Sequence, residues 1–151
     1  MSKAIETTKT LRASTLKLVE GLSVEQLNKI PAGFNNNIIW NLGHMVAAQQ
    51  GLCYARLGVE TRIEDSFFER YKPGTKPEAH VTEVEIEEIK ALLVSTIDQL
   101  ESDYNKDVFK EYPAFTTRYG VELACVEDAI NFLPFHDGLH MGYMMALKRA
   151  I

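Results

Sequence analysis

The chain has little cysteine: two residues, Cys53 and Cys125, in 151. Neither forms a CxxC pair, which excludes a disulfide framework of the kind that staples small secreted domains. Each is expected to be a small buried hydrophobe in a reducing compartment, here the cytoplasm. Long apolar runs are also missing. No stretch approaches the roughly 20 residues that a membrane-spanning helix needs. The opening Met1-Ser2-Lys3-Ala4-Ile5-Glu6 lacks the hydrophobic region of a signal peptide. Basic clustering is absent as well: 16 Lys and Arg stand against 21 Asp and Glu, for a net charge of −5. With no basic stripe to meet phosphates, nucleic acid is not an expected partner, and neither is a membrane.

What is present is helical patterning. At 46% hydrophobic and 25% charged residues, the composition suits one globular domain, 1–151, long enough to bury about two thirds of its unfolded surface. Residues from about Ala4 to Leu22 read as an amphipathic helix with Ile5, Leu11, Leu18 and Leu22 along one side. Ser23-Val24-Glu25-Gln26 has the form of a capping box, and Pro31-Ala32-Gly33-Phe34 breaks the chain. Asn35-Asn36-Asn37 offers N-caps for a second long helix, about Ile38 to Leu57, closed by Gly58. The segment Gly58 to Val81 is long for a connection. It is expected to hold a short helix or to lay Phe67, Phe68 and Tyr71 over the other helices, as an anchor before a substrate lid.

Thr82 and Glu85 form a second capping box, with Val81 and Ile86 as a hydrophobic staple. Ile86, Ile89, Leu93, Ile97 and Leu100 continue the stripe of a third long helix, whose Glu-rich first turn suits the helix dipole. Ser102 to Cys125 is irregular, with room for a short hairpin or extended segment ending at Gly120. The last helix, about Val126 to Ala150, contains Pro134, which is expected to kink it. Four long helices and no strong strand signal predict an all-α four-helix bundle with a long connection between the second and third long helices.

The chemistry-bearing residues lie in two of these helices. His136 and His140 are four apart, so their side chains share one face, with Cβ atoms about 6 Å apart. Ala129, Phe132, Leu133, Tyr143 and Leu147 fall on or beside the same stripe. Imidazoles on such a face are either core histidines bonded to neighbours or a pair gripping one cation. The motif is His-Asp-x-x-His, and Asp137 is a methylene shorter than the Glu of the zinc-protease signature. It lies about 100° around the helix from His136, and is expected to support the site or face the surface, not to act as base. A third histidine, His44, lies in the second long helix with Trp40 and Asn41 beside it. Ala47, Ala48 and Gly51 near it predict a cavity. Three histidines from two helices would make an open metal site with a coordination position to spare. Asn37 and Asn41 are read either as polar lining of that cavity or as helix-start chemistry, and His80 as a solvent-facing loop residue.

Trp40-Asn41-Leu42-Gly43-His44, and His136-Asp137-Gly138-Leu139-His140-Met141-Gly142, resemble the motifs of the DinB/YfiT-like metalloenzyme family. The likeness runs over nearly the whole chain. It implies a four-helix bundle that binds a divalent metal, zinc or nickel first, through His44, His136 and His140. Characterised members of that family include bacillithiol- and mycothiol-dependent transferases. The resemblance therefore implies an enzyme that activates a low-molecular-weight thiol for transfer or isomerisation of a small-molecule substrate. A metal-dependent hydrolase and a non-catalytic stress-response or interaction bundle with a vestigial site are the alternatives. No catalytic base or nucleophile is identified, and a homodimer is compatible with a bundle of this size. Members often carry Gln where this chain has Tyr143; that ring is expected to pack, with a hydrogen bond to a bound water as the alternative.

Overall fold

Side-chain caps open three of the six α-helices in the computed structural model, which describes residues 2–151. Helix α1 spans Lys3–Val19. The short α2, Val24–Asn28, opens on a complete capping box between Ser23 and Gln26. Asn37 starts α3, Ile38–Cys53, by accepting the Trp40 amide at 2.9 Å. A 3₁₀ turn, Ala55–Leu57, then ends at Gly58, so the α-helix stops at Cys53, earlier than the apolar pattern predicts. The long connection holds helix α4, Asp65–Tyr71. Thr82 and Glu85 cap α5, Glu83–Asn105. Helix α6, Val126–Ala150, runs through Pro134 as one element.

The chain is mostly helical. Among the described residues the strands are β1, Phe115–Thr116, and β2, Glu122–Leu123, an antiparallel pair with Phe115 opposite Leu123. Helix α1 packs against α5 and α6, and α3 packs against the same two, while α4 lies on α3. That placement explains α3: every residue from Ile38 to Gln50 is buried, as expected of a helix covered all round. No helix among the described residues is long and apolar enough to cross a membrane.

The inward line of α1 differs from the expected one. Ile5, Thr8, Arg12, Thr15 and Val19 are buried, whereas Leu11, Leu18 and Leu22 are half-buried at its flank. The spacing is still three–four, but its middle is polar. Two apolar clusters form the core. One is built around Ile38, Leu42, Met45, Leu93 and Leu147, the other around Ile5, Tyr54, Ile97, Leu100 and Leu133.

Candidate metal centre

Helix α6 carries His136 and His140 one turn apart, and α3 carries His44 opposite them. Ring centroids are 4.6 Å apart for His136–His140, 4.7 Å for His44–His140 and 5.3 Å for His44–His136. Each ring offers one nitrogen, and the three nitrogens lie within 4.8 Å of one another. Among the described residues, this is the one group of three or more His, Cys, Asp or Glu so placed.

What sits behind each ring decides which nitrogen is free. His44 Nδ1 lies 2.7 Å from the Tyr71 carbonyl oxygen, which can only accept, so the proton is on Nδ1. His140 Nδ1 lies 2.8 Å from Asn41 Oδ1. The Asn41 amide nitrogen donates to the Asn37 carbonyl at 2.7 Å and to Asn36 Oδ1 at 2.9 Å. Those bonds turn the Asn41 oxygen toward His140, which therefore also donates from Nδ1. His136 Nδ1 faces Asp137 Oδ1 at 3.5 Å, and neither buried atom has a closer partner. With an acceptor behind Nδ1 of His44 and of His140, the Nε2 lone pairs of those two rings are left for a ligand.

Burial lowers the pKa of His44 to about 4 and that of His140 to about 3. Both are neutral at pH 7, with lone pairs that no proton occupies. Three imidazoles suit a borderline cation, and a set of three leaves a coordination position open. The residues present fit a divalent metal of that class.

Asp137 is fully buried and does not face the surface. Its Oδ2 accepts from Arg12 Nε at 2.9 Å. Burial alone would raise its pKa, but the Arg12 charge prevails and holds the carboxyl below its usual range. Arg12 is itself only 1% exposed and gathers four elements. It donates to Gln49 Oε1 at 2.9 Å, to the Leu93 carbonyl at 3.0 Å, to Thr96 Oγ1 at 3.2 Å and to the Met45 carbonyl at 3.2 Å. Sequence reasoning singled out Asp137 but missed Arg12 and the partners that Arg12 gathers around it. The available signal was the buried-period line Thr8–Arg12–Thr15 in α1.

The small residues near His44 seat helix α4 and do not leave the expected cavity. A Cβ on Gly43 would lie 2.5 Å from Tyr71 Cδ1, and one on Gly51 would meet the Phe68 ring at 3.4 Å. The crossing aromatics fill that space, so they act as an anchor. Trp40 stacks on His44 at 4.7 Å with planes 10° apart, and its indole donates to Thr75 Oγ1 at 3.2 Å. Tyr143 is half-buried and packs edge-on against Phe34 at 5.6 Å. His80 is exposed and takes no part in the cluster.

The close approach at Gly43 makes a prediction. Gly43→Ala should destabilise the protein by about 1–3 kcal/mol through overpacking against Tyr71. Moving Tyr71 also moves the carbonyl that orients His44, so metal retention should fall in the same variant. Denaturant titration and metal content read the two effects separately. An unchanged stability would mean that α4 yields freely and does not fix His44.

A family model described as the DinB superfamily matches residues 7–144, a span that contains Arg12, Asp137 and all three histidines. No curated protein matches the chain.

Proposed function

The chain belongs to the DinB superfamily, and from that membership we propose that it is a single-domain four-helix bundle whose His44, His136 and His140 hold one divalent cation. The observation that carries this reading is the cluster of three imidazoles with ligand nitrogens within 4.8 Å of one another, two of them held by acceptors, the Tyr71 carbonyl and Asn41 Oδ1. Core histidines without a ligand would have little need of separate Nδ1 acceptors for His44 and His140 beside a third ring.

The reaction class we propose is activation of a low-molecular-weight thiol for transfer or isomerisation. When bound, a divalent cation supplies the lowered pKa that makes a thiolate available near neutral pH. The protein's own residues contribute position and charge. The histidines carry no negative charge, and the Asp137 carboxylate is offset by Arg12, so the site adds no net negative charge that would oppose a thiolate.

The same geometry weighs against hydrolysis. A hydrolase needs a base beside the attacking water, and Asp137 is not free to serve. One of its oxygens is held by Arg12, and the other lies behind His136.

Metal content by elemental mass spectrometry, after loading with Zn²⁺ or Ni²⁺ and dialysis, should approach one equivalent. A Co²⁺-loaded sample should then change its visible absorption when a small thiol is added. Retained metal with no thiol response would leave a metal-binding protein without the proposed chemistry. Failure to retain any metal would leave the non-catalytic bundle.

A further inference from the structure

The β1–β2 hairpin carries chemistry that the three histidines do not use. Its base is fixed: Leu123 is buried, and the Arg56 guanidinium lies over the Phe115 ring, 3.5 Å from its centroid. Its tip is a three-residue loop. The Gly120 amide donates to the Thr117 carbonyl at 2.9 Å, and the Thr117 amide donates to the Val121 carbonyl at 2.8 Å. Gly120 closes the loop at φ 77°, a conformation that glycine adopts without strain. Arg118 and Tyr119 are thereby held out at the tip, both exposed.

Tyr119 connects the tip to the metal centre. Its ring lies 5.4 Å from Phe135 and 6.3 Å from Phe132, and Phe132 lies 6.4 Å from His136. Tyr119 and Phe135 remain 46% and 48% exposed, an unusual cost for two rings in contact. Leu139, one turn beyond Phe135, is exposed as well. Tyr119, Phe135 and Leu139 thus form an exposed apolar shelf, and the buried Phe132 links it to His136.

Above that end stands Arg118. Its guanidinium is 5.4 Å from the Tyr119 ring and pairs with no carboxylate among the described residues. In a chain of net charge −5, an unpaired cation at the edge of an apolar shelf stands out.

We propose that this hairpin is the recognition element of the site and that Arg118 selects a small organic anion. The carboxylate of that molecule pairs with Arg118, its apolar body lies on Tyr119 and Phe135, and its other end reaches toward the histidines. The inference rests on reading His44, His136 and His140 as the reacting centre. It adds the class of substrate: a molecule with a carboxylate at one end and an apolar middle.

The test compares 3-phenylpropanoate with its neutral amide, followed by NMR shift changes in the zinc-loaded and metal-free full-length chain. The carboxylate should bind at least about fivefold more tightly than the amide in both states, the scale of a partly screened ion pair. Shifts should centre on Tyr119 and Phe135, and Arg118→Gln should erase the preference. The same preference in Arg118→Gln would overturn the proposal. So would a preference seen only with zinc, which would put the carboxylate on the cation, or no binding of either compound. If the chain takes up no zinc, the reading of the histidines fails, and the metal-free arm still decides whether Arg118 selects anions.

Discussion

Replacing Asp137 by alanine should cost the fold about 3–5 kcal/mol, the usual penalty for stranding one partner of a buried ion pair. The guanidinium of Arg12 would remain charged in a position only 1% exposed. Its other partners, the Leu93 and Met45 carbonyls, Gln49 and Thr96, supply hydrogen bonds but no countercharge. Denaturant unfolding of the metal-free variant measures the loss directly. A loss under about 1 kcal/mol would match a pair exposed to water, and would mean that solvent reaches Arg12. The double variant Arg12→Met with Asp137→Leu separates folding from function. Apolar replacement of both partners is often neutral or stabilising, so much of the stability should return. The carboxylate beside His136 does not return, and metal affinity should stay low.

The residues that were legible in the sequence are those whose chemistry is local. The Ser23–Gln26 and Thr82–Glu85 boxes are spelled out within four residues and form as written. The α6 histidines share a face because of helical spacing alone. Arg12 was not legible, because the stripe Ile5–Thr8–Arg12–Thr15–Val19 contains polar residues where an apolar period is sought. The alternative line through Leu11 and Leu18 looks better on hydrophobicity and is only half-buried. A buried arginine is stable only against partners from α3, α5 and α6, and no window along α1 contains them. The anchor behind His44 is further from reach, since it is a backbone carbonyl 27 residues away that any residue type would supply. The small residues of α3 predict a cavity, but helix α4 occupies that space. Gly43 fits the Tyr71 ring, and the sequence does not say which aromatic the connection would bring there.

Those anchors also make the site's affinity divisible. His136→Ala removes a ligand nitrogen and should take metal content from near one equivalent to near zero. Saturating metal at about 100 times its dissociation constant should stabilise the native chain by about 2.7 kcal/mol, and that gain should vanish in the variant. Asn41→Leu leaves all three histidines in place and removes only the oxygen 2.8 Å from His140 Nδ1. Loss of such a supporting hydrogen bond typically lowers affinity 10–100-fold. Asn41→Asp keeps an acceptor there and should retain more affinity than Asn41→Leu, although it gives up the donor to the Asn37 carbonyl. Competition against a chromophoric zinc chelator ranks all four proteins in one experiment. The order native, Asn41→Asp, Asn41→Leu, His136→Ala follows if the imidazoles are ligands held by their Nδ1 partners. If Asn41→Leu binds as tightly as the native chain, the hydrogen bond to His140 is ordinary core packing, and the aim of the three rings must be set by the helices alone.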